Sequence, residues 1–192
     1  EGWAERRYAR DAQGQEVSVR TVDTLGNLVA DVHGVAQVQT TRSRGLTKTR
    51  MLGVDGQAIG VAGGVAGRDV SRDAWGRVVS VTAVDVTGLP LRDPETGCAT
   101  LETVYDAWGA PILERCRDPQ GQLSLGRQGW AMRQHTYDAL GREVAIQRLD
   151  VAKLPVIGEG SWSKEVFGYS DRGWLNRRVV LDMDEGQVGV AT

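Results

Sequence analysis

Apolar residues alternate with polar ones in short runs along this chain, and turn-forming residues separate the runs at regular distances. Counted from the glycine that closes one class of turn, the third position reads Val17, Val79, Ile112 and Val144, and the fifth reads Val19, Val81, Glu114 and Ile146. That period of two predicts strands with one face buried. The eighth position, Val22, Val84, Arg117, Leu149 and Leu181, breaks the parity, and a bulge near the strand end would restore it. The segments before the same glycines, such as Leu101-Glu102-Thr103-Val104-Tyr105 and Met132 to Tyr137, are rich in β-favouring Thr, Val and Tyr and also predict strands, with Tyr last, beside the turn. About eight residues separate one turn from the next, too few for a capped helix and the usual length of a strand.

The turns repeat. Tyr105-Asp106-Ala107-Trp108-Gly109, Tyr137-Asp138-Ala139-Leu140-Gly141 and Tyr169-Ser170-Asp171-Arg172-Gly173 stand 32 residues apart, and Arg72-Asp73-Ala74-Trp75-Gly76 and Arg10-Asp11-Ala12-Gln13-Gly14 fit the same frame. In such a box Asp accepts a hydrogen bond from the amide two residues on, and Gly takes the left-handed conformation that closes the turn. The structural turn residues are therefore Asp11, Gly14, Asp73, Gly76, Asp106, Gly109, Asp138, Gly141 and Gly173, with Gly45 a degenerate sixth glycine. About 12 residues later comes a second turn: Asp23 to Gly26, Val54-Asp55-Gly56, Asp85 to Gly88, Asp118 to Gly121, and the drifted Asp150 to Lys153 and Asp182 to Gly186. A third landmark precedes each first turn, as Gly2-Trp3-Ala4, Gly34-Val35-Ala36, Gly64-Val65-Ala66, Gly97-Cys98-Ala99, Gly129-Trp130-Ala131 and Ser161-Trp162-Ser163.

Six copies thus fill residues 1–192 as a single array, approximately 2–33, 34–63, 64–96, 97–128, 129–160 and 161–192. A strand-turn-strand unit of this size cannot bury an apolar face alone, so the copies must stack. The expected fold is all-β: tandem strand-turn-strand repeats in an elongated, curved or spiralling antiparallel sheet. The alternative is a ring like a six-bladed β-propeller. After each second turn a short third strand is expected, with Pro155 holding it to an edge or a strand start. Residues 53–67, rich in glycine, read as a flexible or tightly bent connection, because the flanking elements of a phosphate-binding loop are missing.

With 41% hydrophobic and 25% charged residues the chain has the composition of a packed protein. A net charge of −2 leaves no footprint for nucleic acid, and no apolar run is long enough to insert in a membrane as a helix. Arg42, Arg44, Lys48 and Arg50 form the densest basic cluster and read as a solvated strand face. Cys98 and Cys116, the only cysteines, read as two free buried thiols, Cys98 occupying the Trp slot of the third landmark. Neither His33 nor His135 lies in a catalytic motif, and His135 falls in a strand as a satisfied sheet residue. The carboxylates recur one per turn, which is structural spacing and not that of a general acid and base. Asp182-Met183-Asp184-Glu185-Gly186 is faintly like a calcium loop, yet a drifted second turn explains it. No catalytic, cofactor-binding or metal-binding residue is assigned, and no cofactor is expected.

The box Tyr137-Asp138-Ala139-Leu140-Gly141-Arg142-Glu143-Val144, with its variants at 105–112 and 72–79, resembles the YD box of the RHS/YD-repeat family. The resemblance spans nearly the whole chain, although the period is longer than in the best-known members and the Gly-Trp-Ala landmark is extra. It implies strand-turn-strand units joined into a long spiralling sheet, which in that family closes as a shell around a toxic cargo or forms surface and adhesion modules. An open curved sheet suits six units better than a closed shell. Some RHS proteins cut themselves at an Asp-Pro motif. Asp93-Pro94-Glu95-Thr96-Gly97 and Asp118-Pro119-Gln120-Gly121 look like it locally, but Pro after Asp118 is ordinary turn chemistry.

The expected function is a non-enzymatic structural or interaction module, a piece of a larger bacterial secreted or surface protein, located outside the cell or on its surface. It would bind neighbouring domains of the same chain or another protein, as a scaffold or part of a container wall. Three rivals stand beside it: a carbohydrate-binding array that stacks glycans on Trp75 and Trp108, the non-catalytic part of a toxin-carrying protein, and an enzyme whose site is completed by flanking sequence.

Overall fold

The computed structural model describes residues 5–191. Gly2-Trp3-Ala4 therefore lies outside the described residues. The chain divides between Pro94 and Glu95 into two compact halves, close to the expected boundary between the third and fourth copies. The first half holds β1 (Glu5–Arg10), β2 (Glu16–Val22), β3 (Gln37–Ser43), β4 (Leu46–Leu52), β5 (Gly67–Arg72) and β6 (Val78–Val84), with a single 3-10 turn at Ala62–Gly64. The second holds β7 (Thr100–Tyr105), β8 (Pro111–Arg117), β9 (Met132–Tyr137), β10 (Glu143–Leu149), β11 (Lys164–Tyr169), β12 (Leu175–Leu181) and β13 (Gln187–Ala191).

Both halves are all-β. Within each, strands neighbour in space in their sequence order, and every pairing is antiparallel. The strands thus join in one open sheet per half, without the breaks that would separate the blades of a propeller.

The predicted turn grammar is present at atomic detail. Gly14, Gly76, Gly109 and Gly141 have φ of 78, 83, 94 and 75°, and each donates its amide to the carbonyl of Asp11, Asp73, Asp106 or Asp138. The Oδ1 of each Asp accepts two further amides; Asp138, for example, holds Leu140 N at 2.9 Å and Arg142 N at 3.0 Å. The Arg142 amide and then its guanidinium keep the Asp138 carboxyl below the usual carboxylate range, so the turn stays ionised and closed at neutral pH. In the last copy Ser170 replaces Asp, and Gly173 donates to its carbonyl. Copy two has lost the box: Ser43 pairs directly with Leu46, leaving a two-residue hairpin loop of Arg44 and Gly45.

The bulge is not where the parity break suggested. In β2, β6, β8, β10 and β12 the extra residue is the third after the turn, at Val17, Val79, Ile112, Val144 and Asn176. A loop this wide leaves the strands out of register, and a bulge directly after it realigns them. The fifth and eighth positions then lie on opposite faces, and both are covered, as the half-buried Val19 and buried Val22 show.

The third landmark is itself a turn, a feature not recognised in the sequence. Gly34 donates to Asp31 O, Gly64 to Val61 O, Gly129 to Gly126 O and Ser161 to Gly158 O. In the first five copies the chain makes only one bridge after the second turn, such as Arg117 with Leu123 or Leu149 with Pro155, before entering the landmark. The expected third strand is thus reduced to a single residue in those copies, whereas after the last second turn it is formed as β13, paired with β12. The residue two after the landmark glycine then inserts into the sheet: Ala36, Ala66, Ala99, Ala131 and Ser163 donate to Leu52, Val84, Arg117, Leu149 and Leu181. All five are at most 1% exposed, so only a small side chain fits. The stretch 53–67 is accordingly tightly bent, made of two successive turns.

Tyrosine joins copies in the second half. Tyr137 Oη donates to Pro111 O at 2.9 Å, and Tyr169 Oη to Glu143 O at 2.8 Å, each reaching the copy before its own. Where Arg replaces Tyr, the guanidinium instead caps its own turn, as Arg10 does on Gly14 O.

Candidate functional site

The sequence-assigned residues separate into turn formers and two exposed indoles. Trp75 is 80% exposed and Trp108 95%, each the third residue of its Asp turn. They belong to different halves. In the first half the Arg77 guanidinium lies 4.7 Å from the Trp75 ring centroid and covers one face. In the second half Leu140 occupies the place of Trp108 in the next hairpin, and Trp174 follows the last first-turn glycine; both are exposed. Successive hairpins repeat every two strands, so these apolar tips recur about 10 Å apart along one edge of that sheet.

The other tryptophans do different work. Trp130 is buried against Cys98 and Cys116, with Leu101 and Val156 packed on the cluster, and its Nε1 donates to Gln128 Oε1 at 3.1 Å. Arg148 lies 3.4 Å over the Trp162 ring, and its Nη1 donates to Glu159 O at 2.6 Å, fixing the third turn of the last copy.

Cys98 and Cys116 are not free thiols. They form a disulfide with Cα atoms 5.2 Å apart, which staples the third-turn landmark of copy four to β8. The landmarks of copies five and six fold back onto the sixth residue of the preceding second strand, Trp130 packing on Cys116 and Trp162 on Arg148. Cys98 instead reaches Cys116 from the landmark of the same copy, across the β7–β8 hairpin. A separation of 18 residues could not reveal this before β7 and β8 were placed in register.

His135 is the centre of a linked set of titratable groups on three neighbouring strands. Its Nδ1 lies 2.5 Å from Glu143 Oε1 on β10 and its Nε2 3.3 Å from Glu114 Oε2 on β8, while Arg133 Nε also donates to Glu114. Burial works against the charged imidazole, but the bonds to Glu114 and Glu143 outweigh it and raise the His135 pKa above its ordinary value. Burial likewise opposes the Glu114 carboxylate, yet the bonds from His135 and Arg133 bring it down to about 2. The charged imidazole therefore clamps three strands. Once neutral it can donate only one proton, and one carboxylate loses its bond.

The pH dependence follows from these two directions. The His135 contribution is complete below about 6.5 and is lost as pH rises through the raised folded value; that of Glu114 is complete above 4.5 and is lost as pH falls towards 2. Thermal unfolding should be latest between pH 4.5 and 6.5, and His135→Gln should flatten the alkaline limb and also shrink the acid limb, to which Arg133 alone then contributes through Glu114. Circular-dichroism melts across pH check this. An alkaline slope unchanged in His135→Gln would contradict the clamp.

The second half also carries a cleft of about 780 Å³ over β8 to β10, lined by Leu113, Arg115, Arg117, Met132, Leu149 and Lys153 among others. His33 lies on the exposed third turn that opens copy two, distant in sequence from these groups, and its amide donates to Asp31 Oδ1 at 2.8 Å. Asp182 of the calcium-like stretch accepts the amides of Asp184 and Gly186, as a second turn does. Among the described residues no group of three or more His, Cys, Asp or Glu is arranged to hold a metal ion, and no helix is long and apolar enough to cross a membrane. No protein-family model matches the chain, and no curated protein matches it.

Proposed function

We propose that the chain is a non-enzymatic structural and interaction module of the YD/RHS-repeat kind, part of a larger bacterial secreted or surface protein, acting as a binding scaffold or a stretch of container wall. The observation that carries this reading is how the recurring residues are used. Asp and Gly of the first box hold a turn, Tyr137 and Tyr169 bond the copy before their own, and the small residue at Ala36, Ala66, Ala99, Ala131 and Ser163 seats the next strand. Both ring nitrogens of His135 are engaged by carboxylates, which suits a strand clamp better than a proton shuttle. The buried disulfide favours an oxidising compartment, in line with export.

The test supplies the other domains of the same full-length polypeptide in trans and measures their binding to this chain by calorimetry. The reading expects saturable binding and no turnover. Turnover that His135→Gln abolishes while the fold is retained would overturn it.

A second reading, glycan binding, is favoured by the exposed indoles of Trp75 and Trp108, since planar apolar faces stack on sugar rings. Under that reading Trp108→Ala weakens binding on a glycan array about tenfold or more and leaves the melt unchanged, because the side chain is almost wholly in solvent. Array binding indifferent to both tryptophans would remove it.

A further inference from the structure

The cleft of the second half lies on a sheet face with an unusual division of character. On that face β8 presents Leu113, Arg115 and Arg117, and β9 presents Met132 and Gln134, since Leu113 pairs with Gln134 and Arg115 with Met132. The cations gather at the end where the second turns lie. Arg117 closes β8 there, Lys153 stands in the turn after β10, and Leu123 and Leu149 line the wall between them. Glu102 is the facing acid: its Oε1 is 2.7 Å from Arg117 Nε, and its Oε2 is 3.9 Å from Arg115. Lys153 makes no ion pair among the described residues. Three cations line this end of the cleft, and one of them, Lys153, is left without an ion pair among those residues. Asp118 and Asp150, in the same two turns, are outside the lining with their Oδ1 atoms engaged by backbone amides, and Arg117 Nη1 donates to Gly121 O. The other cleft acid, Asp106, lies at the first-turn end, with its Oδ1 engaged by Trp108 N and Ala110 N.

The backbone decides what kind of body fits. β8 is paired on both sides, with β7 and β9, and β9 with β8 and β10, so the floor offers an occupant no strand edge. A peptide lying there would leave its own amides unpaired, at a cost that an alkyl chain does not incur. From Ile112 to Arg117 the floor runs roughly 17 Å, at about 3.3 Å per strand residue.

We propose that this cleft binds a linear amphiphile with one anionic head, a long-chain free carboxylate, its head at Arg115, Arg117 and Lys153 and its tail along Leu113 and Met132. The proposal goes beyond the scaffold reading and holds whether or not the chain is a YD repeat.

The test titrates the full chain with dodecanoate below its micelle-forming concentration and follows backbone amide shifts by NMR. Dodecyltrimethylammonium, of equal tail and opposite charge, is the control. Expected are shifts confined to β8, β9 and the 150–154 turn, at least tenfold weaker binding of the cation, and a tenfold loss of dodecanoate affinity in Lys153→Glu, whose side chain is solvent-facing and whose fold is checked by its melt. Equal affinity for the two amphiphiles, shifts centred on Trp108 and Trp174, full affinity in Lys153→Glu, or no saturable binding would each overturn the proposal.

Discussion

Replacing both cysteines, as Cys98→Ala with Cys116→Ala, should lower the stability of the second half by about 3 kcal/mol, the loop-closure contribution of a crosslink across roughly 18 residues. A loss of that size corresponds to roughly 10–20 °C in melting temperature for a domain of about 100 residues. Both sulfurs are shielded, Cys116 being 0% exposed and packed with Trp130 and Val156, so the truncation also leaves a void that the neighbours must fill. The first consequence should be faster amide exchange in the 97–99 landmark and β8, which the staple joins, and in the third turn at 126–129, whose Gly126 packs against both sulfurs. A tris-phosphine reductant should leave the native fold intact for long periods and act only as the half opens. Identical melting of oxidised and doubly substituted protein would mean that the two cysteines are not paired in solution.

The second large effect is expected at Gly158. A Cβ there would stand 2.3 Å from Gln128 O and 2.9 Å from Arg148 Nη1, closer than any relaxed side chain approaches. This is where the third turn of one copy rests on that of the copy before, through Glu159 N to Gln128 O at 2.9 Å, and where Arg148 bonds Glu159 O. Gly158→Ala must push the two turns apart and lose both bonds, a cost of about 3 kcal/mol or more. Gly141→Ala is the contrast. Its φ is 75° but nothing lies within 4 Å of its Cβ, so only backbone strain of about 1 kcal/mol is at stake. Urea unfolding of the two variants measures the difference. Equal midpoints would show that the third turns do not touch as described.

Much of this architecture was legible from residue spacing. An Asp-x-x-Gly box carries its own hydrogen-bonding instructions, so Asp138 to Gly141 forms the same turn wherever it stands. Strands followed because eight residues between such turns leave few alternatives. The bulge at Val144 was not legible in place, because a bulge is set by how a loop meets the twist of its strands and not by residue type. The Gly-Trp-Ala landmark was visible as a repeat but not as a turn: its first residue is Asp31, Val61, Gly126 or Gly158, with no common side-chain signal.

The same gap hid the candidate sites. Cys98 meets Cys116 only because β8 returns antiparallel beside the landmark, and Glu114, His135 and Glu143 meet only once three strands are placed in register. Where the turn chemistry lacks glycine, the backbone still obeys the repeat. Lys153, Ser161 and Glu185 take φ of 66, 59 and 60° in places that glycine fills elsewhere. The frame thus overrides local preference, as expected when stability comes from stacked neighbours.

The central claim is that the copies are interchangeable steps of one frame, each seating the next by the same contacts. Excising a whole copy, residues 129–160, so that Gln128 joins Ser161, tests it most directly, since Trp162 and Ser163 then fall into the places of Trp130 and Ala131. Hydrogen exchange on the shortened chain should show a cooperative, protected sheet in which β8 pairs with β11, whereas removal of the half copy 129–144 should abolish protection in this region. Equal loss of protection in both deletions would contradict the account.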